Sequence, residues 1–201
     1  MRQKFTILTS VLLLTTALSF ATDNKPKEKT VVTKEEVKQP VTPLKDDGTI
    51  KWYSFEEAVE LNKTNPKQFF IDFYTSWCGW CKVLDTKTFQ DKYIAKYMSE
   101  NFYCVKFDAE QKADIAFEGR VWKWLPGGRN GIHELAAYFM QNQLSYPTCV
   151  ILTPKFELVT PLKGYVKVEE FEPLITFMGK ELYRYKGNNF EQYKANYKRV
   201  D

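Results

Sequence analysis

Residues 68–75, QFFIDFYT, form an almost unbroken apolar and aromatic run of strand length, and a close pair of cysteines follows it directly. A run of this kind is typical of a central strand covered on both faces. A helical pattern begins at about residue 79, between Cys78 and Cys81. The run therefore predicts a layered domain in which a buried strand leads straight into a helix that carries the cysteine pair.

The rest of the chain alternates strand patterns with helix patterns. Further strands are predicted at residues 50–53, 102–109, 148–153 and 157–162. Helices are predicted at residues 54–63, at 79–98 with an interruption near 88–91, and from about 169 through 178. The last two strands are joined by a short Pro-Lys-Phe turn, as in an antiparallel hairpin. This order predicts an α/β sandwich built around a mixed sheet.

Two helix starts carry local signals. Ser54 can cap the first helix while Glu57 reaches back three residues, which is the spacing of a capping box. A helix starting near Glu169 puts Pro173 in or near its first turn, where proline is tolerated.

An insertion of about residues 111–145 is long for a connection between two elements. Its second half is predicted to be a helix with an apolar face, because four apolar residues there fall at helical spacing: Leu135, Ala136, Phe139 and Met140. Trp122 and Trp124 either pack the insertion onto the core or dock a partner. His133, near the start of this helix, is predicted to be a surface or packing residue.

The first 21 residues have the pattern of an export signal: Arg2 and Lys4 precede an apolar run, and small residues lie before a cleavage point after Ala21. An uncleaved anchor is the alternative, but the run is short for a membrane span. Residues 22–46 contain no aromatic residue and many Lys and Glu, so they are predicted to be a disordered tether. The folded domain is predicted at residues 47–201, with a C-terminal extension from about 182.

Charge and hydrophobicity limit the partners. The chain has a formal net charge of +4, which becomes +2 when the two positive charges of Arg2 and Lys4 are removed with the signal. Lys and Glu are interspersed without a basic stripe, which argues against nucleic acid as a partner. The mature chain is predicted to contain no transmembrane span.

Two thiols at Cys-X-X-Cys spacing can form a disulfide, share a metal or pack as inert residues. Cys78 lies at a predicted helix start, where free N–H groups and the helix dipole stabilise an anion, and such a position favours the thiolate. Cys81 is one helical turn further, so its sulfur faces the same side. The predicted chemistry is attack by Cys78 on a substrate disulfide and resolution by Cys81, with a Cys78–Cys81 disulfide as product.

The segment FFIDFYTSWCGWCK resembles the active-site segment of thioredoxins, and the resemblance covers most of residues 50–180. Residues 80–110, WCKVLDTKTFQDKYIAKYMSENFYCVKFDAE, are most similar to secreted thioredoxin-like proteins and to the periplasmic C-terminal domain of thiol:disulfide interchange proteins. The resemblance implies a thioredoxin-like three-layer sandwich, with a central mixed sheet flanked by helices and a helical insertion before the cis-proline strand.

Asp72 places a carboxylate inside the buried run. Burying a carboxylate costs free energy, and packing does not explain why one is there. The resemblance implies that Asp72 moves the proton of the second cysteine and that Lys106 tunes it. The alternative is that strand ends let both side chains reach solvent. The resemblance also implies that Tyr146–Pro147 is a cis bond. Substrate-binding residues are then expected around the cysteines: Trp77, Gly79, Trp80, Tyr146 and Pro147.

Cys104 and Cys149 fall in two strand candidates. In the thioredoxin-like strand order the active-site strand lies between them, so they are too far apart to bond and are predicted to be buried structural thiols. A zinc site of the four cysteines, or of three with His133, has suitable ligand types but no second closely spaced ligand pair. No metal and no cofactor is therefore expected.

These features predict an exported, periplasmic thiol–disulfide oxidoreductase that reduces disulfides in exported proteins and takes electrons from a membrane-bound dithiol donor. Trp80 stands where thioredoxins usually have proline, so the direction of electron flow stays open. A disulfide oxidase or isomerase is one alternative. The other is a non-catalytic binding module with a structural disulfide.

Overall fold

A computed structural model describes residues 48–199. The predicted signal peptide and the predicted tether lie outside the described residues. Nine strands are described: β1 (Trp52–Tyr53), β2 (Gln68–Tyr74), β3 (Phe102–Asp108), β4 (Ile115–Phe117), β5 (Arg120–Trp122), β6 (Trp124–Leu125), β7 (Ile132–His133), β8 (Thr148–Leu152) and β9 (Leu158–Lys163). Six α-helices are described: α1 (Phe55–Thr64), α2 (Gly79–Lys87), α3 (Lys92–Asn101), α4 (Glu134–Phe139), α5 (Val168–Gly179) and α6 (Phe190–Ala195).

The central sheet has five strands in the order β1-β3-β2-β8-β9. The first three are parallel to one another, and β8 and β9 run antiparallel to their neighbours, so the sheet is mixed, as predicted. β2 lies in the middle, and six of its seven residues are buried. Its continuous apolar sequence therefore reflects cover on both faces.

Side chains alternate between the two faces of β2 and so divide the core. Phe69, Ile71 and Phe73 point to the face covered by α1 and the insertion. Phe70 points to the opposite face, where α2, α3 and α5 pack. This three-layer arrangement confirms the predicted fold class and places Asp72 on the face that α2 covers.

Local signals explain the helix ends. Ser54 and Glu57 form the predicted capping box at α1. The predicted break after α2 is real, because α2 ends at Lys87 and Asp91 caps α3 by accepting from the backbone N–H of Ile94. α5 starts at Val168, one residue earlier than expected, so Pro173 is its sixth residue and lies just past the first turn.

The insertion contains the predicted short helix α4, whose residues Leu135, Ala136 and Phe139 are buried. It also contains two small antiparallel hairpins, β4–β5 and β6–β7, which the sequence did not predict. Strands of two or three residues are too short to show an alternating pattern. Trp122 is buried at 7% exposure and packs with the core, which fits the packing alternative for this residue.

The chain past α5 folds back on that helix. A 3₁₀ turn at Leu182–Arg184 precedes α6, and the rings of Phe190 and Tyr193 lie 5.5 and 5.3 Å from that of Phe177. Arg199 donates to the buried carboxylate of Glu172 on α5, with its Nε 2.9 Å from Oε2. Within residues 48–199, no helix is long and apolar enough to cross a membrane.

Candidate active site

The structure joins Cys78 and Cys81 in a disulfide with an S–S distance of 2.08 Å. Cys78 is the N-cap residue of α2, and its Sγ accepts a hydrogen bond from the backbone N–H of Cys81 at 3.0 Å. This N–H is one of the donors that a first helical turn leaves without an intrahelical partner. The same donor would face a thiolate on Cys78 in the reduced protein, so the helix start favours that species.

On the face of β2 that α2 covers, the carboxylate of Asp72 is fully buried at 0% exposure. The β2–β3 register pairs Asp72 with Lys106, whose Nζ lies 2.5 Å from Oδ2 of Asp72. The Lys106 side chain is 24% exposed. Asp72 therefore does not reach solvent, and Lys106 reaches it only in part.

A second carboxylate, that of Asp85 on α2, also binds Lys106. Its side chain is 40% exposed, so Lys106 bridges a buried acid and a partly solvated acid. Asp85 lies four residues after Cys81, on the same helix face, and that spacing is the sequence signal that could have revealed it. Three rings surround the ammonium within 5.1 to 5.6 Å and add cation–π attraction: Trp52, Tyr74 and Phe89.

Burial and charge act in opposite directions on this pair. Burial raises the pKa of Asp72 above its usual value, although the positive charge of Lys106 opposes that rise. For Lys106, burial alone would lower the pKa, but the carboxylates of Asp72 and Asp85 outweigh it and raise the pKa. The site thus holds an acid that binds its proton more tightly than a solvated aspartate, next to a lysine whose charged form is stabilised by the two carboxylates.

Both remaining cysteines are free and buried, as predicted. Cys104 lies on β3 and Cys149 on β8, on either side of β2. The Cys149 thiol donates to Asp72, with Sγ 3.6 Å from Oδ1. Burial raises the pKa of both thiols, and the charge of Asp72 adds to the rise at Cys149. Neither is set up as a nucleophile.

Aromatic side chains line the surface around the disulfide. Cys78 and Cys81 are only 4% and 2% exposed, whereas Trp77 and Trp80 are 58% and 62% exposed. The bond between Tyr146 and Pro147 is cis, as predicted.

The Trp77 ring meets the Tyr146 ring edge-on at 5.8 Å, and the Trp80 ring stacks on Tyr165 at 5.6 Å. Trp80, Tyr146, Pro147 and Tyr165 border a shallow groove of about 280 Å³. Tyr165 was not predicted from the sequence, because its contact with Trp80 depends on the loop after β9. Gly79 is the first residue of α2 and is exposed, and a Cβ there would meet nothing within 4 Å.

The insertion also reaches this site. The Trp77 indole N–H donates to Oε1 of Glu110 at 2.8 Å, and the Asn130 amide donates to both oxygens of Glu110 at 3.0 Å. No local pattern in the sequence signals these contacts, because they join segments 20 to 33 residues apart.

His133 lies away from the cysteines and is fully buried. It caps α4 through Nδ1, which accepts from the N–H of Leu135, while Nε2 lies 3.1 Å from the carbonyl oxygen of Ala113. His133 is therefore a packing residue and not a surface residue. Its capping of α4 was not predicted. Among residues 48–199, no group of three or more His, Cys, Asp or Glu side chains is arranged to hold a metal ion.

The class of protein follows from the strand order, the cysteine pair at the start of α2 and the cis bond before Pro147. The chain has a thioredoxin-like fold. A family model described as Thioredox_DsbH, protein of unknown function, DUF255, matches residues 36–124.

Relatives match parts of the chain. An uncharacterized protein, B0495.5, of Caenorhabditis elegans is 32% identical over 124 residues, which are 61% of this chain and 15% of that protein. The thiol:disulfide interchange protein DsbD of Campylobacter jejuni (strain RM1221) is 38% identical over 58 residues, 29% of this chain and 10% of that protein. The chain thus spans a small part of the length of these curated relatives. The solution structure of a thioredoxin from Thermus thermophilus aligns with a TM-score of 0.47 at 17% identity, covering 69% of this chain and 91% of that one.

Proposed function

We propose that the protein is an exported thiol–disulfide oxidoreductase that reduces disulfides in exported proteins through Cys78 and Cys81. The observation that carries this proposal is the Cys78–Cys81 disulfide at the N-terminus of α2, where Cys78 accepts from a free helix N–H. A structural disulfide has no need of that donor, whereas a cysteine that cycles through a thiolate gains from it.

The reaction starts from the reduced protein. The Cys78 thiolate attacks one sulfur of a substrate disulfide, so that a mixed disulfide forms and one substrate thiolate leaves. The Cys81 sulfur, after losing its proton, then attacks Sγ of Cys78 and releases the second substrate thiolate. Two electrons pass from the dithiol to the substrate, and both substrate sulfurs end as thiols once protonated. The protein is left with the Cys78–Cys81 disulfide.

Asp72 is the proposed acceptor of the Cys81 proton. A carboxylate with a raised pKa takes up a thiol proton more readily than a solvated aspartate does. Lys106 keeps the deprotonated form of Asp72 accessible by placing a positive charge against it. Asp85, which binds the same ammonium and is partly exposed, connects this buried pair to solvent.

Export and the electron source are part of the proposal. The export signal pattern of residues 1–21 supports a location outside the cytoplasm, where dithiols are oxidised unless a donor keeps them reduced. A membrane-bound dithiol is the proposed donor, and exchange with it would reverse the steps above. The partial match to a thiol:disulfide interchange protein supports the same chemistry.

The proposal is tested by following reduction of insulin disulfides with dithiothreitol as electron source. The wild-type protein is expected to accelerate reduction at catalytic concentration, and Cys78→Ser and Cys81→Ser are expected to abolish the acceleration. Cys104→Ala, which removes a buried thiol of the core, serves as the control and is expected to retain it. A wild-type protein that gives no acceleration would contradict the enzyme proposal.

The direction of electron flow has its own measurement. Equilibration of the Cys78–Cys81 pair with mixtures of reduced and oxidised glutathione gives its reduction potential. A reductase is expected to have a potential close to that of thioredoxins, about −270 mV, and a potential near −120 mV would assign the oxidase role instead.

A further inference from the structure

Trp77, the residue before the reactive cysteine, is held by the insertion and not only by its own strand end. Its indole N–H donates to Oε1 of Glu110 at 2.8 Å. Both carboxylate oxygens of Glu110 in turn accept from the side-chain amide of Asn130 at 3.0 Å. The backbone of Glu110 is fixed as well, because its N–H donates to Oδ1 of Asp108 at 3.0 Å. Trp77 is thus linked to a residue 53 positions further along the chain.

Asn130 belongs to the 126–131 loop, which joins β6 and β7 and is itself closely packed. The Trp124 indole N–H donates to the carbonyl oxygen of Asn130 at 3.3 Å. Gly131, with φ at +73°, lies so near Trp124 that a Cβ there would approach the ring to 2.3 Å. The backbone N–H of Gly131 also donates to the carbonyl oxygen of Gly127 at 2.6 Å. Asn130 is therefore presented to Glu110 by an ordered loop.

The strand that follows this loop, β7, is hydrogen-bonded to the residue that follows β3, the strand that carries Lys106. The backbone N–H of His133 donates to the carbonyl oxygen of Ala109 at 2.8 Å, directly before Glu110. The Trp77 ring in turn meets Tyr146, the residue before the cis proline, edge-on. A continuous chain of contacts therefore joins the 126–131 loop to Tyr146 at the border of the groove.

We propose that Asn130 and Glu110 are positioning residues for Trp77, and that the insertion thereby makes the site selective for polypeptide disulfides over small-molecule disulfides. This proposal rests on the proposed function. A half-exposed tryptophan left to itself samples several rotamers, and ordering it costs free energy each time a substrate binds. Holding the ring beforehand removes that cost for a substrate large enough to lie against it. A small disulfide reaches Cys78 without covering the ring and gains less.

The test compares three single variants with the wild type. Asn130→Ala removes the amide that grips Glu110, Glu110→Ala removes the acceptor for Trp77, and Arg129→Ala, at an exposed neighbouring residue, is the matched control. The substrates are insulin and oxidised glutathione. The Trp77 indole N–H resonance, assigned with Trp77→Phe, reports the hydrogen bond by NMR.

Glu110→Ala and Asn130→Ala are expected to raise KM for insulin about threefold to tenfold, as loss of one or two ordinary hydrogen bonds implies, with kcat changed much less. The preference for insulin over oxidised glutathione, as a ratio of kcat/KM values, is expected to fall by about threefold or more in both variants. Their Trp77 resonance shifts, and Arg129→Ala matches the wild type in every readout.

An unchanged preference ratio, or an unchanged Trp77 resonance in Asn130→Ala, would overturn the proposal. A wild-type protein inactive on both substrates would contradict the proposed function and the selectivity together. In that case an Asn130→Ala variant with a shifted resonance would still show that the loop positions Trp77, so the two failures are distinguishable.

Discussion

Lys106 Nζ lies 2.5 Å from Oδ2 of Asp72, a carboxylate with no exposed surface. The pair is the electrostatic centre of the site, because Asp85 and Cys149 also bind to it. Burial of ions costs free energy that ion pairing only partly offsets, so this arrangement weakens the fold relative to an uncharged core. A buried carboxylate with a raised pKa, on the sheet face that α2 covers, is what the proposed role in proton transfer would require.

Asp72→Asn should therefore gain stability relative to the wild type as pH rises. Burial raises the pKa of Asp72 in the folded state, so its contribution is full below the unfolded-state pKa of about 3.9 and is lost as pH rises through the folded-state value. Urea unfolding at pH 4, 6 and 8 measures the difference, which is expected to grow in favour of Asn. Asp114→Asn, at an exposed ion pair with Lys123, is the control. A difference that stays constant with pH would contradict the assignment.

His133 has the opposite dependence. Burial lowers the pKa of the ring, although the hydrogen bond with the Ala113 carbonyl opposes this shift. The contribution of His133 to stability is therefore full above the unfolded-state pKa of about 6.5 and falls as pH drops towards the folded-state value. His133→Asn keeps a good capping side chain without a titratable ring. The variant is expected to lose about 1 to 3 kcal/mol at pH 7 through lost packing and hydrogen bonding.

Between pH 7 and pH 5 the free energy of unfolding of His133→Asn should fall less steeply than that of the wild type. Thermal or urea unfolding across this range measures the two slopes. Equal slopes would contradict a His133 pKa that is lower in the folded protein than in the unfolded chain.

Trp80→Pro should lower the reduction potential of the Cys78–Cys81 pair. Residue 80 is the second residue of α2, where proline is sterically tolerated, but proline there removes one of the first-turn N–H groups whose combined dipole favours a thiolate at the helix start. With the reduced form less stabilised, the disulfide is expected to be about threefold to thirtyfold harder to reduce, a change of about 15 to 45 mV.

Trp80→Ala separates the backbone from the ring. It keeps the N–H and loses the stacking on Tyr165, so its potential is expected to stay nearer the wild-type value. Glutathione equilibration measures both variants. If Trp80→Ala lowers the potential as much as Trp80→Pro, the ring and not the N–H sets it.

Arg199→Ala should destabilise the protein by about 1 to 3 kcal/mol, because it leaves the Glu172 carboxylate buried with fewer donors. Glu172 is 5% exposed, and among residues 48–199 the hydrogen bond left to its carboxylate is that of the Tyr197 hydroxyl, 2.9 Å from Oε1. Arg184→Ala, at an exposed pair with Glu181, is the control and should cost no more than about 1 kcal/mol. Urea unfolding measures both variants. Equal effects would contradict a stabilising contact between Arg199 and the buried Glu172 of α5.

Long, strongly patterned elements were predictable, and contacts between distant segments were not. The apolar sequence of β2 and the capping box of Ser54 and Glu57 are local signals, and both were confirmed. The cis bond at Tyr146–Pro147 followed from family resemblance, since nothing local distinguishes it from a trans bond.

Several predicted site residues contact one another, since Trp77 meets Tyr146, Trp80 borders a groove with Pro147, and Lys106 binds Asp72. Other contacts around them were not predicted. Asp85 had a helical-spacing signal, whereas the Cys149 bond to Asp72 depends on the pairing of β2 with β8. The hydrogen bonds from Asn130 to Glu110 depend on the β6–β7 hairpin, whose two-residue strands are too short to show periodicity. Such contacts are set by tertiary packing and are visible only in the fold.

In the proposed reaction, Cys78 attacks substrate disulfides and Cys81 resolves the mixed disulfide. The decisive measurement incubates reduced Cys81→Ala with disulfide-bonded insulin and analyses the products by non-reducing electrophoresis and peptide mass spectrometry. A stable mixed disulfide between insulin and Cys78 is expected, which is absent from Cys78→Ala and is cleared by dithiothreitol. If Cys81→Ala forms no such adduct, or forms it through Cys104 or Cys149, the proposed roles of Cys78 and Cys81 are wrong.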